Sequence, residues 1–424
     1  MHTGRLLLAC LAVVAACGDA SGPRLTFSGS DVGAEGAVIR AQLDRFAARH
    51  PGVRVELRLT PDAADQRHQL YVQWLNARAE EPDVLQLDII WTAEFAAAGW
   101  LRPLGAPDDI EDFLPAALEA DRWQGSLYAV PWFVDAGLLY WRRDLLGAPP
   151  STLDELREDA ERAMRTGAVS AGLVWQGARY EGLVTVFLEH LVAFGGAILD
   201  ARGRVRVDEP PAVRALTFMR DSVTGQGLVP RAALAWQEEQ TRFAFQNGDA
   251  LFMRNWPYAW ALVQDARQSR VAGQVGVAVF PGADGGRPAA ALGGAQLAVN
   301  RYTEEPDLAE ALVTFLTAPE QMLERAQAAA QLPARRSLYA TDALAAALPL
   351  PIDEIRAVLE AAVPRPVTPV YSELSELLQV RLHRALTGQE APDEALRGAA
   401  DAIRDLLART GLAASDPPAP EPAE

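Results

Sequence analysis

Lysine is missing from this chain altogether, and cysteine nearly so. The 39 basic side chains are all arginine, and they face 56 aspartates and glutamates for a formal net charge of -17. That balance excludes a partner held through a phosphate backbone, because nucleic-acid binding needs a basic face. The two cysteines, Cys10 and Cys17, both lie at the extreme amino terminus. No disulfide can then form within a chain that begins at Cys17. The five histidines, His2, His50, His68, His190 and His383, are scattered. Without an HExxH or any paired ligand spacing, no metal is expected and metal-dependent chemistry is disfavoured. There is no internal repeat, and low complexity is confined to the Pro-, Ala- and acid-rich tail at 413–424, which reads as disordered.

What is present begins with size. A chain of 424 residues, 50% of them hydrophobic, can build two ordinary globular domains. At its start, Arg5 precedes an apolar run from Leu6 to Ala16, too short for the roughly 20 residues of a membrane span but suited to secretion. The run ends Val14-Ala15-Ala16-Cys17-Gly18, and small residues directly before a cysteine resemble a bacterial lipobox. Residues 1–16 are therefore expected to be a signal peptide, Cys17 an acylated first mature residue and 17–23 a flexible tether. The protein would sit outside the cytoplasm, attached to the cell membrane through its lipid alone.

Beyond the tether, helical and strand periods alternate. Ile39, Leu43 and Phe46 recur at helical spacing, His50-Pro51-Gly52 stops that helix, and Val53, Val55, Leu57 and Leu59 alternate with polar residues as a strand. A helix through Leu70, Trp74 and Leu75 precedes the nearly continuous apolar run Val84–Ile90, the pattern of a strand buried on both faces of a parallel sheet. A second unit starts near Pro149-Pro150, with Ser151 or Thr152 and Glu155 as a capping box. Strands are expected at 172–175, 275–279 and 296–299, helices at 210–224 and 238–247, and helix throughout after about 304. Such alternation defines an open α/β architecture.

Several residues carry chemistry. Asp88 ends the most buried strand, and open α/β sheets bind ligands beyond the carboxyl ends of their strands. Alone, such an aspartate reads as a cap or structural ion pair. The segment Val130-Pro131-Trp132-Phe133-Val134-Asp135, however, sets another acid beside aromatics. In Met253-Arg254-Asn255-Trp256-Pro257-Tyr258, proline forces the backbone to extend or turn, so Trp256 and Tyr258 project from a loop, whereas Trp260 reads as core. Carboxylates and arginines suit sugar hydroxyls, and indole and phenol faces suit the C–H faces of a pyranose.

The segments Gly172–Leu183, Ala244–Gly248, Phe252–Tyr258 and Leu292–Gly294 resemble the extracellular solute-binding family of carbohydrate ABC importers, most nearly its trehalose/maltose-binding branch. The resemblance implies a two-lobed periplasmic-binding-protein fold, type II-like, each lobe an open, mostly parallel sheet flanked by helices with the ligand in the interlobe cleft. Residues 24–138 with about 288–338 would form one lobe, and 139–287 with about 339–412 the other. It further implies a monomer without catalytic residues or cofactor that captures an α-linked disaccharide such as trehalose or maltose for its permease. The ligand positions it implies are Glu35, Arg67, Asp88, Phe133, Asp135, Trp256, Tyr258, Gly294 and Arg365, with Glu238 or Glu239 as a further acid. Phe133 stands where relatives commonly carry tyrosine, and Ala295 where a tryptophan often follows the two glycines. The alternatives are a different sugar or oligosaccharide and a secreted glycoside hydrolase, which would also use paired carboxylates and aromatic platforms.

Overall fold

The computed structural model describes residues 22–31, 34–61, 64–225 and 227–413. The expected signal peptide, Cys17, most of the tether and the tail from 414 lie outside the described residues. No helix among the described residues is long and apolar enough to cross a membrane.

In chain order the strands are β1 (Arg24–Gly29), β2 (Arg54–Leu59), β3 (Val84–Asp88), β4 (Arg122–Trp123), β5 (Ser126–Leu127), β6 (Ala129–Ala136) and β7 (Leu138–Arg142). They continue with β8 (Ala171–Val174), β9 (Ala250–Asn255), β10 (Val275–Ala278), β11 (Ala290–Val299), β12 (Leu332–Pro333) and β13 (Ala362–Val363). The helices of the first half are α1 (Glu35–Arg49), α2 (Ala64–Asn76), α3 (Thr92–Ala97), α4 (Pro115–Ala120), α5 (Leu153–Arg165), α6 (Glu181–Ala193) and α7 (Pro210–Thr224). Those of the second half are α8 (Glu238–Gln246), α9 (Ala259–Val263), α10 (Pro306–Leu316), α11 (Pro319–Ala329), α12 (Asp342–Ala347), α13 (Ile352–Glu360), α14 (Tyr371–Leu386) and α15 (Pro392–Arg409).

The helical stripe Ile39, Leu43 and Phe46 is buried on α1 as its spacing requires. On α2 the buried positions are Arg67, Tyr71 and Leu75, while Leu70 and Trp74 are half-exposed. The helix is turned because Tyr71 reaches the sheet, where its hydroxyl accepts from Ser28 Oγ at 3.0 Å. At the start of α5, Thr152 Oγ1 accepts from Glu155 N at 3.1 Å while the Glu155 carboxylate accepts from Ser151 N at 2.7 Å. Both candidate caps are therefore used, a device that stabilises a helix start by about 1 kcal/mol.

The protein is a two-lobed α/β fold built on two large sheets, with β4 and β5 forming a separate two-stranded sheet. The first has the order β12-β6-β11-β3-β1-β2 with β13 pairing β11, and the second the order β10-β7-β9-β8. The expected parallel pairing holds for β1 with β2 and β3 and for β8 with β9, but β11 runs antiparallel to β3 and β6, and β7 antiparallel to β9 and β10. Parallel neighbours need a crossover helix between them. Strand β11 arrives from the second sheet without one, so it enters the first from the opposite end.

The chain passes between sheets at Gly137, which alone joins β6 to β7, again between β10 and β11, and again after β13, beyond which α14 and α15 pack on α6 and α7. The region after 304, expected to be all helix, also contains β12 and β13, short strands recruited by neighbours already in place. Helix α12 packs on α11, and α13 on β10 and β11, so the expected division at 338–339 enters a segment that touches both sheets.

Asp121, fully buried after α4, gives a test of the first lobe's core. Burial pushes its carboxyl well above the ordinary range, with Gln296 and Arg122 opposing only in part. A carboxyl raised in the folded state contributes stability that is complete below its unfolded pKa of about 4 and is lost as pH rises toward the folded value. Asp121→Asn is therefore expected to melt higher than the parent at pH 7–8, with the difference vanishing near pH 4. Thermal melts of both proteins across that range check it, and parallel curves would reject it.

Candidate functional site in the interlobe cleft

Strand register assembles one wall of the cleft. In the ladder β3–β11–β6, Ala295 lies opposite both Asp88 and Phe133, Gly294 opposite Val134 and Gly293 opposite Asp135. Residues far apart in sequence are thereby placed on one sheet end, beside a bulge between Ala295 and Gln296. Gly294 has φ +122°, and a Cβ there would lie 2.3 Å from the Phe133 carbonyl oxygen. The closeness of β6 dictates glycine at this position.

The opposite wall comes from α6, α8 and the turn after β9. Every position implied by the resemblance opens onto one cavity of about 400 Å³: Glu35, Arg67, Asp88, Phe133, Asp135, Glu239, Trp256, Tyr258, Gly294 and Arg365. Ala295 lines the same cavity beside Gly293 and Gly294.

Glu35 is buried rather than a surface acid. Its carboxylate accepts from Ser30 Oγ (2.7 Å), Gln331 Nε2 (3.0 Å), Arg325 Nη2 (3.2 Å) and Gln86 Nε2 (3.3 Å). Arg325 lies 3.6 Å above the Trp132 ring, and burial lowers its pKa to about 10 against the pull of Glu35 and Glu324. Arg67 donates to the Pro61 carbonyl at 3.2 Å, with its guanidinium 5.3 Å from the Trp91 ring.

Arg365 bridges the lobes. Its Nη2 donates to Asp88 Oδ1 at the end of β3 (3.1 Å) and its Nη1 to Glu181 Oε1 at the start of α6 (2.8 Å). Burial opposes the charge, but Asp88 and Glu181 hold the guanidinium above its ordinary value. Glu181 also accepts from Tyr371 and Ser375 of α14, and burial nevertheless leaves its carboxyl raised. A second bridge links the first turn of α14 to α3, where Ser372 Oγ donates to Glu94 at 2.6 Å.

Asp135 stands half-buried among acids. Burial first, then Glu35 and Asp88, raise its pKa to about 7, while Arg254 opposes them. Across the cleft Tyr258 donates to Glu239 at 2.7 Å, and Arg242 Nε donates to the same oxygen at 3.0 Å. Although burial works the other way, these two partners keep the Glu239 carboxyl below its usual range. Glu238 accepts from Trp256 Nε1 at 3.4 Å, so both acids of the pair line the cavity with different partners. Trp256 and Tyr258 occupy the turn between β9 and α9, and half-buried Trp260 packs against the core.

Sequence reasoning missed Ser30, Gln86, Glu181, Gln331 and the pair Glu189–Arg254 beneath Trp256. Glu181 and Arg254 fell inside quoted motifs and could have been singled out as charges in apolar surroundings. Gln331 carried no signal, since only the folding of α11 and β12 onto β6 brings it to Glu35. Among the described residues no group of His, Cys, Asp and Glu is arranged to hold a metal ion.

Two sheet-based lobes connected by strands, with a polar and aromatic cavity between them, define a two-lobed binding protein. Residues 30–323 match the family model of the bacterial extracellular solute-binding proteins. The chain belongs to that family. It is 35% identical to a probable ABC transporter-binding protein of Deinococcus radiodurans, over 90% of this chain and 93% of the relative. Among solved structures it resembles maltose-bound MalE3 of T. maritima, with 42% identity and a TM-score of 0.85 over 91% of this chain and 100% of the other. It also resembles the GacH receptor of Streptomyces glaucescens, solved with acarbose, with 28% identity and a TM-score of 0.81 over 91% of this chain and 99% of the other.

Proposed function

We propose that this protein captures an α-linked disaccharide, trehalose or maltose, between its lobes and presents it to an ABC permease. The observation that carries this reading is the convergence of Asp88, Asp135, Trp256, Tyr258 and Arg365 on one cavity of about 400 Å³, within the range of small-molecule pockets. The maltose-bound relative at 42% identity supports the choice of sugar. Acids accept from hydroxyls, Arg67 and Arg365 supply charged donors, and Trp256 offers an apolar face. Closure on the ligand forms the state that the permease recognises. The protein acts as a monomer outside the cytoplasm, lipid-anchored through Cys17.

Calorimetry of the mature domain against trehalose, maltose, sucrose and longer glucosides tests the reading, with one-to-one binding of a disaccharide as the expected result. No heat with any of them would reject it, and release of free glucose from the ligand would favour hydrolysis instead. Cys17→Ala should abolish membrane fractionation or block maturation, since the acyl groups supply the anchor. Unchanged fractionation and mass would remove the anchor from the proposal.

Asp135 makes the binding pH-dependent. With its pKa near 7, acidification fills the carboxylate that a sugar hydroxyl would use. Affinity is expected to fall from pH 8 to pH 5.5 and the slope to flatten in Asp135→Asn. Identical pH profiles for the two proteins would refute this role.

A further inference from the structure

The ion pair between Glu189 of α6 and Arg254 of β9 touches the cavity only through another residue. Both side chains are 1% exposed. Arg254 Nη2 donates to Glu189 Oε1 at 2.7 Å and Nε to Oε2 at 2.9 Å, while Nη1 reaches Gln176 Oε1 at 3.3 Å. These contacts engage the edge of the guanidinium and leave its flat face available. That face carries Trp256, with Cζ 4.0 Å from the ring centroid.

The acid of the pair has a second attachment. The Ala291 backbone N–H, at the start of β11, donates to Glu189 Oε1 at 3.0 Å. The adjoining passage between sheets is Gly137, whose N–H donates to the Ala291 carbonyl at 3.2 Å. A Cβ on Gly137 would lie 1.8 Å from Glu189 Oε1 and 2.7 Å from Arg254 Nη2. The pair therefore packs into the junction where the chain passes between lobes at Gly137 and at the start of β11, and a side chain on Gly137 would displace it.

Stability alone is a poor reason for such a pair. Removing two charges from water is costly, and apolar residues of similar volume commonly match or exceed a buried ion pair in stability. A planar fork gripping a carboxylate edge-on while stacking on an indole also requires arginine, since lysine offers neither plane nor fork. We propose that Glu189 and Arg254 are positioning residues for the cleft: they set the plane of Trp256 from behind and fasten it to the strands on which the lobes turn. The consequence for sugar binding rests on the function proposed above.

The test uses Glu189→Leu combined with Arg254→Met, an apolar pair of similar bulk, together with Arg254→Lys and Glu189→Gln in case the double variant does not fold. Each is measured for melting temperature, for affinity toward maltose and trehalose, and for the ligand-free near-ultraviolet circular dichroism of Trp256, isolated by subtracting the matching Trp256→Phe protein. The expected result is a folded protein with an altered Trp256 band and a Kd raised at least tenfold, with Arg254→Lys no better than partial rescue. A folded variant that keeps the parental band and affinity would overturn the proposal. If the parent binds none of the sugars, the functional reading fails by itself and the ligand-free band decides the positioning: altered supports it, unchanged ends it.

Discussion

Trp256→Ala is expected to weaken capture of the disaccharide about thirtyfold or more while the lobes stay folded. A central aromatic anchor contributes about 2 kcal/mol or more to binding, and each 1.4 kcal/mol is a factor of about ten. The ring is half-buried and faces the cavity, so its removal takes away ligand contact and leaves the Glu189–Arg254 pair intact. Asp88→Ala should lose a similar amount by another route: it removes a carboxylate acceptor for a sugar hydroxyl, a charge-assisted hydrogen bond of about 1.5–3 kcal/mol, and it also leaves Arg365 with Glu181 alone. Tyr258→Phe should cost less than either, since the lost hydroxyl is already engaged by Glu239 at 2.7 Å. Calorimetric titration and thermal melts of the three variants separate these cases. Parental affinity for Trp256→Ala would remove the platform, and unfolding of that variant would make the tryptophan a core residue.

The largest stability effect is expected at Gly294→Ala. Its φ of +122° strains any residue with a side chain, and the added Cβ meets backbone atoms of β6 at 2.3 and 2.7 Å. Strain of about 1–3 kcal/mol and overpacking of about 1–3 kcal/mol act together, so a loss of about 3 kcal/mol or more is anticipated, with β6 and β11 pushed apart at the cavity wall. Gly99→Ala is the comparison, because its φ of +72° lies in the left-handed region that a side chain can occupy at a cost of about 1–2 kcal/mol, and nothing lies within 4 Å of the new atom. Denaturant unfolding should therefore show the larger loss for Gly294→Ala, where backbone strain and overpacking act together. Equal losses would show that β6 yields freely and that neither crowding nor backbone angle sets Gly294 apart from Gly99.

How legible the molecule was depended on the range of the interaction concerned. The helix at 35–49 and the cap at Thr152 were readable because spacing and capping act within one or two turns. The orientation of α2 was not, since Tyr71 is drawn inward by Ser28, 43 residues away. Asp88, Asp135 and the Trp256–Tyr258 turn stood out because each sits at a strand end beside sequence too apolar to leave a charge or a proline unexplained. The pairings in the cleft did not: Arg365 and Glu181 are 184 residues apart, and Arg325 and Glu35 are 290 apart.

The sequence by itself determined the alternation of strand and helix, the acidic and lysine-free character, and the kinds of side chain that line the cavity, because these follow from composition and local period. Only the tertiary structure decided the antiparallel entry of β11, the crowding of Gly294 by β6, and the burial that, with neighbouring carboxylates, brings Asp135 to about 7. It also decided which acids are already satisfied within the protein and which tryptophan stacks on a buried guanidinium. The physical reason is common to all of these. Strand register and burial are properties of pairs of segments, and the charge, strain or exposure of one residue is fixed by neighbours that the chain supplies only after it has folded.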